Sequence, residues 1–291
     1  MVVLLLIGWF FIHILQLLSL TTGILGKNTY RKINRTLTSW WWELPLFCVI
    51  NLRGLEFEIS GDTIGEDEKI IGICNHQCGA DIPLLLILAK KSKRLGDIKW
   101  FIKNILKFIP IIGWGLTFLD CLFVKRNWNS DKSLILKTFR KLKVYPFPFW
   151  LFFFPEGTRV TPKKLKQSQA YAVENSLPSL DHVLLPKSKG FSSSVLSLYD
   201  HIDAIVDCTI VFKPGPPSLA QLFLGKCDGA VIIVKRYPIK ELPKDEQLLG
   251  KWLVSKFVEK DELIKKIKNY HRDRYTDPCL DFKCVDDEEG V

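Results

Sequence analysis

Three short apolar runs stop abruptly at polar loops, and this repeated pattern constrains the fold most. Residues 70–74 run into Asn75-His76, residues 121–124 into Lys125-Arg126, and residues 150–154 into a loop containing Glu156, Gly157, Thr158 and Arg159. An apolar run of four or five residues bounded by a turn reads as a buried strand. In an α/β sheet, loops at one strand edge converge on one crevice. The pattern therefore predicts an α/β domain in which His76, Lys125, Arg126, Glu156 and Arg159 are delivered to a common edge.

The first loop carries the clearest chemistry. Asp81 follows His76 by five positions, and Pro83 suits the first turn of a helix that begins there. Asp81 is expected to cap that turn. If Gly79 lets the loop bend, the carboxylate reaches the imidazole. His76 is then a candidate general base, with Asp81 fixing its tautomer and stabilising the imidazolium. The plainer alternative is a local hydrogen bond in a surface loop.

Further strands are expected at residues 55–59, 98–101, 204–212 and 229–237, a strand leading into a turn at 184–191 with a Ser-rich helix following it through 199, and helices at 83–89, 131–143 and 248–270. The 131–143 helix is basic and amphipathic, with Leu134, Ile135, Phe139 and Leu142 on its apolar side. Residues 104–119 are apolar; core packing is the expectation, and lining an acyl channel the alternative. Lys163, Lys164 and Lys166 are available to anionic lipid or to solvent.

Residues 1–25 contain no Asp, Glu, Lys or Arg, which makes them a transmembrane candidate. Lys27, Arg31, Lys32 and Arg35 follow, and such a flank faces the cytosol. Residues 37–52, with Trp40, Trp41 and Trp42, read as an interfacial or re-entrant segment, the alternative being a core helix. The boundaries expected are thus residues 1–52 for a membrane anchor with interfacial helices, 53–275 for the catalytic domain and 276–291 for a polar acidic tail. A formal net charge of +10 suits an anionic membrane surface. No nucleic-acid module is recognisable. The eight cysteines form no C-x-x-C pair and no zinc spacing, so they read as thiols in a reducing compartment.

With these motifs the sequence resembles the lysophospholipid/glycerolipid acyltransferases, in particular the 1-acyl-sn-glycerol-3-phosphate acyltransferases. The resemblance rests on Asn75-His76 with Asp81, on the loop from Phe154 to Arg159, on the basic strand end at Lys125-Arg126, and on Leu185-Pro186-Lys187-Ser188-Lys189-Gly190-Phe191. It covers roughly residues 1 to 270. It implies a mixed sheet flanked by helices, and transfer of a fatty acyl group from acyl-CoA to the sn-2 hydroxyl of lysophosphatidic acid, giving phosphatidic acid. His76 and Asp81 would be catalytic. Lys125, Arg126, Glu156, Gly157, Thr158 and Arg159 would surround the substrate phosphate, with Glu156 structural or substrate-orienting. Asn75, Pro186, Lys187 and Lys189 would be further substrate or acyl-CoA contacts. Neither a metal nor a cofactor is implied, acyl-CoA being a co-substrate. The setting would be the endoplasmic-reticulum membrane, with the catalytic domain facing the cytosol. Another lysophospholipid acceptor, such as lysophosphatidylinositol, lysophosphatidylglycerol or lysocardiolipin, is the alternative within the family. A non-catalytic basic membrane-binding protein is the alternative outside it. A serine hydrolase is disfavoured, because no Gly-x-Ser-x-Gly elbow occurs.

Overall fold

The computed structural model describes residues 2–109, 112–118, 121–125 and 128–276. The chain opens with helices α1 (Val2–Ser19) and α2 (Lys27–Phe47), joined by a 3-10 turn. Strands β1 (Phe57–Gly61) and β2 (Ile70–Cys74) lead to α3 (Asp81–Lys91). Then come β3 (Ile98–Lys103), α4 (Ile112–Phe118), β4 (Leu122–Val124), α5 (Trp128–Lys143) and β5 (Trp150–Phe153). The last third supplies α6 (Pro162–Glu174), α7 (Ser188–Leu198), β6 (Ala204–Lys213), α8 (Leu219–Phe223), β7 (Gly229–Pro238) and α9 (Glu246–Thr276).

The strands form one mixed sheet in the order β1-β7-β6-β2-β5-β3-β4. From β6 to β4 all neighbours are parallel, while β7 is antiparallel to β6 and carries β1 parallel to itself. Helices cover both faces, which is why the central strands read as unbroken apolar runs. Side chains alternate across the sheet. Ile70 and Cys74 of β2 join Trp150 and Phe152 in a core with α2 and α3, whereas Ile71 and Ile73 join Leu151 in a core with α5, α7 and α9. Between the alternating side chains, Gly72 leaves room for Phe152, whose ring lies 2.3 Å from where a Cβ would stand. A buried ion pair pins α9 to the sheet. The Lys260 ammonium donates to Asp207 Oδ1 at 2.6 Å, to the Cys208 carbonyl at 2.7 Å and to Thr209 Oγ1 at 2.9 Å. All three protons of the buried cation are satisfied, the condition under which such a pair is tolerable.

The stretch from Val3 to Leu25 is long and apolar enough, by length and composition, to cross a membrane. Its polar interruptions His13, Gln16 and Ser19 are buried. His13 Nδ1 meets Gln16 Oε1 at 2.8 Å, and Asn34 of α2 donates to Ser19 Oγ at 2.8 Å. Phe10, Phe11, Leu17 and Leu18 remain exposed.

Several local expectations need correction. Residues 37–52 are not a separate segment; they are the second half of α2 followed by a π-helical turn, Cys48–Leu52. Leu37, Trp41, Leu46 and Val49 pack into the core, as the core-helix alternative requires, while Trp40 and Phe47 stay exposed. The basic flank is the start of the same helix, and Arg35 clamps Asp97 with two guanidinium hydrogen bonds. Leu134 is exposed; Ile135, Phe139 and Leu142 form the buried side of α5. In the 104–119 stretch Leu116 is buried, but Ile105, Phe108, Ile109 and Trp114 face outward, so core packing holds only in part. Residues 184–187 are not a strand. Their N–H groups bond Glu156, Ser168 Oγ and the Pro155 carbonyl instead of a neighbouring strand. Arg126 and the acidic tail beyond residue 276 lie outside the described residues.

Candidate active site

The site grows from the C-terminal ends of the parallel strands β2 and β5. Beyond β2, the Asn75 side chain extends the ladder. Its amide donates to the Ile210 carbonyl and its oxygen accepts from the Ile210 N–H, each at 2.9 Å. Asn75 is fully buried, and this pairing shapes the loop.

His76 follows, and its Nδ1 lies 2.8 Å from Asp81 Oδ2. The same oxygen accepts the N–H groups of Gln77 at 2.8 Å and Cys78 at 2.9 Å. Asp81 therefore turns back onto its own loop and does not cap α3; the N-cap position is Ala80. Gly79 is not in the left-handed region, and the loop closes through the hydrogen bonds gathered by Asp81. Burial raises the Asp81 carboxyl above its usual range, against the hydrogen bonds from His76, Cys78 and Gln77. With Asp81 ionised, Nδ1 carries the ring proton and Nε2 offers the lone pair that a general base needs. The imidazole lies on the Phe154 ring, centroids 4.0 Å apart and planes 16° from parallel.

The loop beyond β5 is tied to the histidine. Glu156 Oε1 accepts the His76 N–H at 2.7 Å, and the Val160 N–H donates to the His76 carbonyl at 2.9 Å. The other Glu156 oxygen accepts the Leu184 N–H at 2.9 Å. Glu156 is buried, with each oxygen accepting a backbone N–H. It is the structural member of its loop. Gly157 adopts φ +72°, a left-handed turn that favours glycine. The Pro186 side is held equally firmly, because Asp261 of α9 accepts the N–H groups of Asp181, His182 and Val183.

The expected residues thus fall into groups. His76, Asp81, Glu156, Gly157 and Thr158 come together, and Lys187 joins them beside Gly157. Arg159 is exposed on the same loop. Pro186 is buried, and Lys189 is exposed in the first turn of α7. Lys125 ends β4, two strands from β5, about 10 Å along the sheet edge at usual strand spacing. It shares the edge but not the Gly157 turn. Lys164 was legible only as one cation in a basic stretch, yet its ammonium bonds Thr158 Oγ1. Phe154 and Asp261 carried no local signal of their roles; each acts through tertiary contact. Among the described residues no group of three His, Cys, Asp or Glu is placed to hold a metal ion.

Cys78 lies within the His76–Asp81 loop, but burial, with the Asp81 charge, pushes its thiol up to about 12. A nucleophilic cysteine needs the thiolate. Cys78→Ala is accordingly expected to keep turnover within about threefold of the parent, since it removes only a weak contact to Asp81. A loss approaching that of a histidine variant would point to a covalent thioester on Cys78 instead.

Comparison with known proteins adds a family. Residues 56–213 match the model described as Acyltransferase, and residues 221–283 the model described as Acyltransferase C-terminus. The chain is 35% identical over 249 residues to 1-acyl-sn-glycerol-3-phosphate acyltransferase 2 of Arabidopsis thaliana, covering 83% of this chain and 64% of that protein. It therefore spans a little under two thirds of the length of that relative. To 1-acyl-sn-glycerol-3-phosphate acyltransferase gamma of Mus musculus it is 32% identical over 278 residues, covering 92% and 74%. The crystal structure of the 1-acyl-sn-glycerophosphate acyltransferase PlsC from Thermotoga maritima shares the fold, with TM-score 0.53, 18% identity and coverage of 91% and 95%.

Proposed function

The chain belongs to the family of the 1-acyl-sn-glycerol-3-phosphate acyltransferases, and from that premise we propose that it acylates the sn-2 hydroxyl of lysophosphatidic acid with acyl-CoA as donor. The observation that carries the reading is the His76–Asp81 pair, joined through Glu156 to a loop with exposed cationic side chains. Nε2 of His76 takes the hydroxyl proton as the oxygen attacks the thioester carbonyl. The tetrahedral centre collapses, the C–S bond breaks, and the imidazolium returns its proton to the departing thiolate. Asp81 stabilises the imidazolium meanwhile. The acyl group passes directly to the acceptor, so neither an acyl-enzyme nor a resident metal takes part. Arg159, with its planar fork of donors, is suited to grip the acceptor phosphate. The apolar α1 holds the enzyme at the bilayer where both greasy substrates reside, in this reading the endoplasmic-reticulum membrane with the site on the cytosolic side.

Purified protein offered labelled acyl-CoA and a panel of lysolipids tests this. Free thiol should appear only when lysolipid is present, and most rapidly with lysophosphatidic acid. Preference for lysophosphatidylinositol, lysophosphatidylglycerol or lysocardiolipin would move the assignment within the family. Thiol release without any lysolipid would indicate a hydrolase, and no release at all a non-catalytic membrane protein.

A further inference from the structure

Two adjacent residues of α9 reach the His76 loop from two sides. Leu249, Leu253, Phe257 and Ile264 form the buried stripe of this helix, and Lys260 stands in the same stripe, 2% exposed. A well-packed apolar side chain at such a position is often at least as stabilising as a buried ion pair. Stability alone therefore does not account for a cation there. The ammonium grips three consecutive residues of β6, through the Asp207 carboxylate, the Cys208 carbonyl and the Thr209 hydroxyl. The next residue of that strand is Ile210, and both neighbours of His76 hold it. Its carbonyl accepts the side-chain amides of Asn75 at 2.9 Å and Gln77 at 2.5 Å, and its N–H donates to Asn75 Oδ1 at 2.9 Å.

Asp261, about 100° further round the helix, serves the other loop. Its Oδ1 accepts the N–H groups of Asp181, His182 and Val183 at 3.1, 2.6 and 3.1 Å. The following residue, Leu184, donates to one oxygen of Glu156, and the other oxygen accepts the N–H of His76 itself. The histidine thus has two tethers. One runs through Ile210 and β6 to Lys260, the other through Glu156 and residues 181–184 to Asp261. Both end on consecutive residues of one packed helix, so the strand and the turn that flank His76 keep a fixed spacing. That helix lies in the stretch, residues 221–283, that matches the model described as Acyltransferase C-terminus.

We propose that Lys260 and Asp261 are positioning residues for His76: through them the C-terminal helix sets where Nε2 stands relative to the acceptor hydroxyl. The inference rests on the acyl-transfer reading above and goes beyond it, because it gives the C-terminal stretch a part in the reaction. Both residues act through chains of hydrogen bonds that end at the histidine backbone or its two neighbours. A base displaced by about 1 Å costs about a hundredfold in rate, so loosening either tether lowers kcat.

The test uses the full chain in detergent-lipid micelles, below the melting transition of each variant. Asp261→Ala removes one tether. Lys260→Met combined with Asp207→Leu removes the other and replaces the buried pair by apolar side chains, an exchange that commonly keeps stability. A purely structural role predicts the parent's kcat per folded molecule in both. The positioning role predicts a kcat lowered about ten- to a hundredfold, with each KM changed less than about threefold. Asp261→Asn keeps an acceptor oxygen for the three N–H groups and should recover most of the loss. A second measurement does not depend on turnover. Amide hydrogen exchange, followed by mass spectrometry, reads the segment that holds the His76, Gln77 and Cys78 N–H groups. Exchange there should be about tenfold faster or more once a tether is cut. Parental kcat in both variants together with parental exchange over residues 76–78 would overturn the proposal. So would a loss expressed only in KM, since a displaced base acts in kcat. Should Asp261→Ala fail to fold, the pair replacement decides alone. If the parent transfers no acyl group, the acyl-transfer reading fails and exchange decides: faster exchange upholds the tethers, and parental exchange overturns them.

Discussion

His76→Ala lowers acyl transfer by a factor of about a hundred to ten thousand, the usual contribution of a positioned general base. The protein still folds and still sediments with vesicles. The ring makes one stacked contact with Phe154 and one hydrogen bond with Asp81, so the expected stability cost is roughly 1–2 kcal/mol. The loss belongs in kcat, because the hydroxyl proton is removed only as the transition state forms. Asp81→Asn should come close to the same deficit by a different route. With its oxygen in the place of Oδ2 the amide still accepts all three N–H groups but brings no charge to stabilise the imidazolium; turned over, it gives up the Gln77 and Cys78 bonds and presents its NH2 to Nδ1, which favours the tautomer whose Nε2 carries the proton. A neutral ring of the wrong tautomer cannot act as the base. Stopped or steady-state release of coenzyme A, measured beside a melting curve for each variant, separates these effects from unfolding. Turnover near the parent level in His76→Ala, with the fold intact, would sink the mechanism.

The sheet and the His76–Asp81 pair were legible because both are written locally. A strand buried on both faces needs an apolar side chain at nearly every position, and β2 and β5 supply it. A histidine and a carboxylate five residues apart in one loop need only that loop to close. The basic flank and the tryptophan-rich stretch were harder to join, because their compositions differ although one helix, α2, carries both. What unites them is a buried stripe, Asn34, Leu37, Thr38, Trp41 and Trp42, at helical spacing. The partners of Glu156 and Asn75 were hidden for a deeper reason. Chain adjacency placed them beside residues suited to substrate, whereas their partners are backbone groups of Leu184, His76 and Ile210. Nothing in a local pattern distinguishes a carboxylate that faces a ligand from one that faces two distant N–H groups. Lys164 was obscured in the same way: it looked like an ordinary surface lysine until the chain brought it to the Thr158 hydroxyl.

Glu156→Ala is expected to damage stability and transfer together, since this one carboxylate joins the histidine loop to the loop that carries Lys187. Its removal leaves two N–H groups without their acceptor. At about 1–3 kcal/mol for each buried unsatisfied group, the loss is roughly 2–6 kcal/mol, unless water enters the gap. Transfer should fall about a hundredfold, the scale set by a base displaced about 1 Å from its acceptor. Glu156→Gln separates shape from charge. It keeps one acceptor oxygen but presents an NH2 to the second N–H, so it should be milder than alanine and still impaired. Its pH behaviour is the sharper test. Burial pushes the Glu156 carboxyl up to about 8 from an ordinary 4.5, against the opposing Leu184 and His76 N–H bonds. Between those values the native protein holds a proton that the unfolded chain has released. The contribution of Glu156 therefore makes stability fall as pH rises through that window, and below about 4.5 the penalty is absent. Glutamine cannot titrate, so Glu156→Gln should flatten this part of the profile. Melting temperatures of parent and variant at about pH 5 and about pH 8 decide the matter. Identical slopes would mean that Glu156 stays ionised throughout, with its two N–H donors outweighing the cost of burial.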